Sequence, residues 1–458
     1  MVLDHLLKNA LLVEPGIGVT AGSIGIKDGV IAAVLAEGMD LPAVETTDCR
    51  GCWVMPGLID PHVHFGFGSP ETDFLTESRS AALGGVTTVL SFHRSKDLRE
   101  SVIPACDLAA RQSCIDFGFH FGITSRLHVE TLAECSRRFG VSSYKIYLMY
   151  KGQAGLSQGF TEIDDSLLFT AMEETAKIPG AVLGVHCENI EVIPVLRDRL
   201  RRQGRDDLAA WDEQSPDFLE AENVHRTCYF AEKTGCPVNI VHLSSKEALE
   251  EVRRHRNRPA HAPIYVETCP QYLTLTHGSP AGALAKVNPA VRSARDVDAL
   301  WEGVLDGSVT TIGSDHVPRK RSTKAGGIWG ASNGFPGTGT ILPLMIHEGY
   351  HNRRVPIERL AALLSANAAR LYHLHDKGTL GVGTNADLVV IDPTHERVVD
   401  ASTLESYADY SPYEGMTLKG WPIMTLSRGR KIAEHGAITP QALNHPAGRY
   451  LPRLKSDP

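Results

Sequence analysis

Between residues 54 and about 376, short apolar or β-branched runs alternate with longer amphipathic stretches of helical period. The eight runs read GLIDPHVHF, VTTVLSF, FGFHFGIT, YKIYLMY, AVLGVHC, PVNIVHL, PIYVETC and VTTIGSD. Segments such as SKEALEEVRRH and ARDVDALWEGVL follow them with the pattern of helices. This alternation is typical of β–α units around a parallel sheet. Eight units predict an α/β fold, a closed (β/α)8 barrel, and a doubly wound open sheet is the alternative.

The two ends of the chain have a different pattern, in which short strand-like pieces are separated by turns. They include HLLKNALLVEPG near the start and GWPIMTLSRGRKIAEHGAI near the end. We therefore predict one small β domain assembled from residues 1–53 and 377–458, beside a barrel of residues 54–376. Within the barrel, Ser244 lies three residues before Glu247, which predicts a capping box at the start of the helix after the sixth run.

Composition narrows the class of partner. The 458 residues are 42% hydrophobic and 22% charged, and the net charge is -8. This balance argues against a nucleic-acid or anionic-membrane surface and favours a small-molecule partner. No apolar run approaches the roughly 18 residues of a membrane span, so we expect a cytoplasmic protein. The nine cysteines, including the lone C-x-x-C of Cys49 and Cys52, are predicted to be free thiols.

Candidate chemistry gathers where the predicted strands end, which is where barrel enzymes place their reactive groups. These positions hold His62 and His64 in the first run, Lys145 and Tyr150 in the fourth, His186 in the fifth, His242 in the sixth and Asp315 in the eighth. On a strand, His62 and His64 leave from the same face and can converge on one ion such as zinc. Each histidine alone reads equally well as a hydrogen-bonded core residue. Their conjunction with an aspartate at one end of a barrel favours a metal site.

Lys145 needs a separate explanation, because an ammonium group has no lone pair and cannot bind a cation. Burial beside metals would lower its pKa and free the amine. A neutral amine can add carbon dioxide to form a carbamate, whose two oxygens can bridge two metal ions about 3.5 to 4 Å apart. The alternative is a lysine whose stem packs in the barrel while its charged end reaches water.

Several motifs give the chain a family resemblance: GLIDPHVHF, GGVTTV, YKIYLMYKG, VHCEN, PVNIVHLSSKEALEEV, ETCPQYL, GSDHVP, NGFPG and SANAARLYHLHDKGTLGVGTNADLVVID. In this order, the motifs resemble those of the amidohydrolase superfamily, in particular its dihydropyrimidinase and hydantoinase group. The resemblance covers nearly the whole chain. It implies a barrel with a β-sandwich built from both termini, two zinc ions, a carboxylated lysine, a homotetramer or homodimer, and a cyclic amide substrate such as a dihydropyrimidine, hydantoin or imide.

The resemblance also implies a role for each site residue. His62, His64 and Asp315 would hold one divalent metal, His186 and His242 the other, and carbamylated Lys145 would bridge them. A hydroxide shared by the metals would attack the ring amide, while Asp315 moves the proton and Tyr150 stabilises the oxyanion. Asn288 and Asn333 would grip the ring's amide, although VNPAVR stands where the group has a serine motif.

Substrate choice is expected in the loops at residues 66–73, 93–97 and 151–160, because specificity in barrels varies with loops. His93, Arg94 and Lys96 make the second loop basic. We interpret that loop as a solvated surface turn, with the binding of an anionic exocyclic group as the alternative.

Three other functions are alternatives to the opening of a dihydropyrimidine or hydantoin ring. An allantoinase or a dihydroorotase-like enzyme shares the metal motif, but dihydroorotases typically have arginine after H-x-H-F, and Gly66 follows Phe65 here. Deaminases of the superfamily usually lack the bridging lysine, so Lys145 counts against them. A non-catalytic, dihydropyrimidinase-like scaffold protein is the alternative of another class, although such relatives have lost metal ligands and this chain retains every one.

Overall fold

A computed structural model describes residues 2–156, 159–161, 163–258 and 262–454. Its central feature is a sheet of eight strands, each parallel to the next and hydrogen-bonded in chain order. These are β6 (Leu58–Val63), β7 (Val86–His93), β8 (Asp116–Gly122), β9 (Ser143–Tyr147), β10 (Val182–His186), β11 (Val238–Ile240), β12 (Ile264–Thr268) and β13 (Thr311–Ile312).

The first and last of these strands meet and close the sheet. Val63 and His316 form a parallel bridge, in which the His64 N–H donates to the His316 carbonyl at 2.8 Å. The His316 N–H donates back to the His62 carbonyl at 3.3 Å. The predicted (β/α)8 barrel is therefore confirmed, and closure leaves the strands without a free edge.

The helices lie between and after these strands. The longer ones are α1 (Asp73–Leu83), α2 (Leu98–Gln112), α3 (Arg126–Phe139), α5 (Asp165–Ala176), α6 (Ile193–Arg202), α8 (Asp217–Thr234), α9 (Lys246–Arg256) and α11 (Ala294–Asp306). The shorter ones are α4 (Gln153–Leu156), α7 (Leu208–Glu213), α10 (Pro270–Thr274), α12 (Gly327–Gly330), α13 (Ile341–Leu344), α14 (Ile357–Ala361), α15 (Asn367–Leu371) and α16 (Pro440–Asn444). Segments Met345–Asn352 and Ala362–Ala366 are π-helical, and 3₁₀ turns span Leu148–Tyr150, Gly282–Ala285, Arg321–Lys324, Thr338–Thr340 and Ala401–Thr403. Among the described residues, no helix is both long and apolar enough to cross a membrane.

Strands from both ends of the chain form a second sheet, as predicted. They are β1 (Leu3–Glu14), β2 (Gly18–Lys27), β3 (Val30–Ala36), β4 (Ala43–Asp48), β5 (Trp53–Pro56), β14 (Leu388–Ile391), β17 (Pro422–Ser427), β18 (Arg430–Glu434) and β19 (Ala437–Ile438). Buried residues of both ends, among them Leu7, Val54 and Leu388, share one apolar cluster inside this β-sandwich. A separate hairpin pairs β15 (Glu396–Val398) with β16 (Thr417–Lys419).

Two local sequence predictions can be compared with the structure. The helix after the sixth strand exists, but the prediction that Ser244 caps it is wrong, because Ser245 accepts the N–H of Ala248. The Ser244 hydroxyl instead donates to the buried carboxylate of Glu220 at 2.8 Å. All nine cysteines are free thiols, as predicted.

A buried ion-pair network joins the terminal sheet to the barrel. The Lys377 ammonium lies 2.9 Å from the Asp116 carboxylate at the start of β8 and also contacts Asp387. Arg428, just after β17, pairs with Asp116 from the other side. Although burial opposes it, the two carboxylates raise the pKa of Lys377, so the charged form is the one held.

We expect Lys377→Met to lower the free energy of unfolding by about 3 to 5 kcal/mol, because it leaves two buried carboxylates without their shared cation. Urea unfolding followed by circular dichroism measures the change. Lys177→Met is the matched control, since Lys177 pairs with Glu174 at 2.6 Å on the surface. Its loss should change stability by about 1 kcal/mol or less. Equal effects of the two substitutions would contradict the role given to Lys377.

Candidate active site

The side chains predicted at the strand ends meet at one mouth of the barrel. They line a cavity of about 570 Å³ that includes His64, Lys145, Tyr150, His186, His242, Asn288, Asp315 and Asn333. His62 is fully buried and contacts this group from beneath. The structure therefore brings together every residue that the sequence predicted for the site.

His62, His64 and Asp315 form a compact group whose nitrogen and oxygen atoms all lie within 4.8 Å of one another. Asp315 Oδ1 is 3.2 Å from His62 Nε2 and 3.3 Å from His64 Nε2. Four ligands around a tetrahedral zinc ion, at about 2.0 to 2.1 Å, stand roughly 3.3 Å apart. The spacing of these three side chains therefore fits a shared divalent cation.

Lys145 lies between the two sets of histidines. Its Nζ is 3.2 Å from His62 Nε2 and 3.4 Å from His242 Nε2. Burial lowers the pKa of the Lys145 ammonium to about 8. A useful fraction of the amine is therefore neutral near physiological pH, which is the form that reacts with carbon dioxide.

The other two histidines stack edge to face with ring centroids 4.4 Å apart. His186 Nε2 lies 2.8 Å from a Glu188 carboxylate oxygen, whereas His242 Nδ1 is buried with no hydrogen-bond partner among the described residues. Burial lowers the pKa of both imidazoles. Neutral imidazoles with an available nitrogen are the form that binds a metal.

Two of these residues have left-handed backbone conformations, with φ of 40° at His242 and 52° at Asp315. Such angles are uncommon for non-glycine residues and cost of order 1 to 3 kcal/mol. His242 lies two residues after the end of β11 and Asp315 three residues after the end of β13, so the chain turns close to where each side chain enters the cavity. Strained backbone of this kind clusters at functional sites.

Two buried acids support the site and were missed by the sequence predictions. Glu267 in β12 contacts His62 Nδ1, the nitrogen that faces away from Asp315 and Lys145. Asp60 accepts the backbone N–H of His62 at 3.2 Å and that of Ser314 at 2.9 Å. Carboxylates behind a metal-binding histidine fix its tautomer and orientation. The available signal was an acid inside an otherwise apolar run, as in PIYVETC.

Tyr150 lies at the rim of the cavity, where its ring stacks on Phe160 with centroids 4.3 Å apart. Burial raises the pKa of the Tyr150 phenol, which therefore remains a proton donor. Asn288 and Asn333 line the same cavity, and the Asn288 amide lies 4.0 Å from Met149 Sδ.

The predicted specificity loops line a second cavity of about 980 Å³ that shares Phe67 and Arg94 with the first. The loop is only partly the solvated turn that was predicted: Lys96 is exposed, whereas Arg94 is half-buried with its guanidinium 4.4 Å from the centroid of the Phe67 ring. Aromatic residues from distant parts of the chain surround it. Of the third loop, residues 157 and 158 lie outside the described residues.

The model of the amidohydrolase family matches residues 53–432, and the chain belongs to this family. Among similar proteins, the L-hydantoinase of Paenarthrobacter aurescens is 32% identical over 95% of this chain and 96% of its own length. The allantoinase of Rubrobacter xylanophilus is 35% identical over 98% of this chain and 97% of its own.

Solved structures that are similar to this chain include enzymes of the same kinds. The L-hydantoinase (dihydropyrimidinase) from Arthrobacter aurescens superposes with a TM-score of 0.90 at 30% identity, covering 98% of this chain and 99% of that one. The dihydropyrimidinase from Brevibacillus agri gives a TM-score of 0.89 at 26% identity, covering 99% of each chain.

Proposed function

We propose that this protein is a metal-dependent hydrolase that opens a cyclic amide ring, such as a dihydropyrimidine, a hydantoin or a related cyclic ureide or imide. The observation that carries the proposal is the meeting of four histidines, one aspartate and one lysine at the mouth of the barrel. Hydantoinases and a dihydropyrimidinase among the relatives support this substrate class.

The donor set fits two divalent ions. His62, His64 and Asp315 would hold one ion, His186 and His242 the other, and a carbamate on Lys145 would bridge them. Nitrogen and carboxylate donors favour zinc among common divalent metals. Bound there, the two ions would polarise the amide carbonyl and lower the pKa of a water molecule.

The protein's own groups handle the proton and the developing charge. Water adds to the amide carbon, and the Asp315 carboxylate accepts a proton from it. The ring C–N bond then breaks, and Asp315 returns the proton to the departing nitrogen. The Tyr150 hydroxyl donates to the carbonyl oxygen as it becomes an oxyanion, and Asn288 and Asn333 hold the CO–NH unit. The product is an N-carbamoyl acid or a similar open-chain acid.

We expect Tyr150→Phe to lower kcat by about 100-fold with a smaller change in KM, because loss of one oxyanion donor commonly costs about 3 kcal/mol. Steady-state kinetics with a hydantoin that the wild-type protein hydrolyses measure the effect. Tyr144→Phe is the control, since Tyr144 is a buried tyrosine of β9 whose hydroxyl donates to the Leu132 carbonyl at 3.2 Å, outside the catalytic cavity. Equal kcat values for Tyr150→Phe and the wild type would remove Tyr150 from the proposed chemistry.

The proposal is tested by a hydrolysis screen of protein prepared with zinc and bicarbonate, against dihydrouracil, hydantoins, allantoin, dihydroorotate and cyclic imides. Metal content is measured on the same samples.

A second group of side chains, on the outside of the barrel, has ligand atoms close enough to bind an ion: His225, Glu251 and His255. Ions are therefore also counted in a His225→Ala variant. Fewer than about one ion per chain in that variant, with no hydrolysis, would favour a non-catalytic scaffold.

Allantoin hydrolysis is the second candidate function, because an allantoinase is as similar to this chain as the hydantoinases are. The hydrolysis screen separates the two functions.

We also propose that residues 54–376 form the catalytic domain and that residues 1–53 together with 377–458 form the sandwich domain. A homotetramer or homodimer is proposed from the family resemblance, and light scattering during size-exclusion chromatography measures it.

A further inference from the structure

We infer that the preferred substrate carries an anionic group, a carboxylate attached to the cyclic amide, and that Arg94 and Arg319 select it. The inference rests on the proposed function and concerns which ring the site prefers. Both arginines line the cavity that contains the proposed metal ligands. Neither forms an ion pair with any carboxylate among the described residues.

Arg94 is held in place without a charged partner. Its aliphatic stem packs against Gly122 so closely that a Cβ added there would lie 2.6 Å from Arg94 Cγ. Its guanidinium lies 4.4 Å from the Phe67 ring centroid, 5.1 Å from that of Phe160 and 5.7 Å from that of Tyr147. Aromatic faces stabilise a cation, but they leave the N–H donors of a guanidinium free for a ligand that lies in the guanidinium plane.

Arg319 approaches the same cavity from the segment after β13. Its Nε is buried and has no hydrogen-bond partner among the described residues. Like Arg94, Arg319 is therefore not engaged by a protein acceptor among the described residues. A planar guanidinium matches a carboxylate through two parallel hydrogen bonds.

The balance of charge in the cavity points the same way. Its basic side chains are Arg94, Arg319 and Lys145, and Asp315 is the single carboxylate among the described residues. Lys145 and Asp315 are both assigned to the metal centre, so two positive charges remain for a substrate. This positive cavity lies in a chain of net charge -8, and local enrichment against the overall charge indicates selection of an anion.

A small carboxylate is the anion that the site fits best. The catalytic cavity of about 570 Å³ is of ordinary size for a ligand site and accommodates a small ring with one short substituent. The arginine that dihydroorotases typically place after H-x-H-F is absent here, where Gly66 follows Phe65. Arg94 and Arg319 therefore offer a different route to a carboxylate on or near the ring.

The test compares 5-(2-carboxyethyl)hydantoin with its carboxamide, which has nearly the same shape and no charge. We expect kcat/KM to favour the acid by about 10- to 100-fold, the size of a charge-assisted hydrogen bond. Arg94→Gln and Arg319→Gln should each reduce this acid-to-amide ratio by about tenfold. Lys96→Gln is the matched control, because it removes a positive charge from the same loop without touching the catalytic cavity.

Binding of the open-chain products gives a second readout that does not need turnover. Calorimetry compares N-carbamoylglutamate with N-carbamoylglutamine on the metal-loaded protein and on both arginine variants. The inference would be overturned if the carboxamide were hydrolysed as fast as the acid and if neither arginine substitution changed the acid-to-amide ratio of kcat/KM. That result would leave the proposed hydrolase function intact. Hydrolysis of no ring at all by metal-loaded protein would overturn the proposed function, while product binding would still decide the charge preference.

Discussion

Replacing Lys145 with alanine is expected to remove most of the bound metal and to lower kcat by at least about 1000-fold, because the proposed bridge between the two ions would be lost. Lys145 lies between His62 and His242, with its Nζ within 3.4 Å of a ring nitrogen of each. Metal analysis and turnover on the best substrate of the screen measure the two losses. A short carboxylic acid such as acetate or propionate should restore part of both.

Lys286→Ala provides the matched control for this loss. Lys286 is also buried, and burial likewise lowers its pKa to about 8, but its Nζ donates to the Ala331 carbonyl at 2.6 Å, away from the histidines. The Lys286 variant should therefore keep its metal. Mass spectrometry under mild conditions should find the mass of carbon dioxide on the wild type and not on Lys145→Ala. Turnover near the wild-type rate in Lys145→Ala would refute the bridging role.

The meeting of the candidate metal ligands could be predicted from the sequence because strand geometry determines it. Two residues of one strand separated by a single residue share a face, which places His62 beside His64. Parallel strands in a closed barrel end at the same mouth, which brings His186, His242 and Asp315 to that point. The order of the eight apolar runs is enough to predict this meeting, because each run pairs with the next.

The supporting acids could not be predicted in the same way. Asp60 and Glu267 lie in buried strands, where a single acid has the same local sequence whether it faces a histidine or a helix. The helix cap after the sixth strand shows the same limit. Ser244 and Ser245 both satisfy the sequence rule for an N-cap, and the choice is made by Glu220, which is far away in sequence and accepts from Ser244.

The aromatic environment of Arg94 could not be predicted from the sequence, for a related reason. Its neighbours in the chain are polar, so the local sequence predicts a solvated turn. The side chains that enclose it include Tyr147 at the end of β9 and Phe160 in the loop that follows, and the space for its stem exists because residue 122 is glycine. Only the assembled barrel mouth combines these features.

Asp315→Asn separates proton transfer from metal binding at the same position. Asparagine keeps a carbonyl oxygen that can still bind a cation, but it has little affinity for a proton. We expect kcat to fall by roughly 1000-fold, within the range of general acid–base contributions, while the loss of metal stays well below that in Lys145→Ala. Turnover and metal analysis on the same preparation measure both quantities.

Glu188→Gln is the control for this substitution, because Glu188 is a buried carboxylate that contacts His186 rather than the reacting groups. It should weaken metal binding by about 10- to 100-fold, and saturating zinc should then restore most of its turnover. Added zinc should not restore Asp315→Asn, since its defect lies in moving the proton. A kcat within tenfold of the wild type for Asp315→Asn would mean that another group carries the proton from water to the leaving nitrogen.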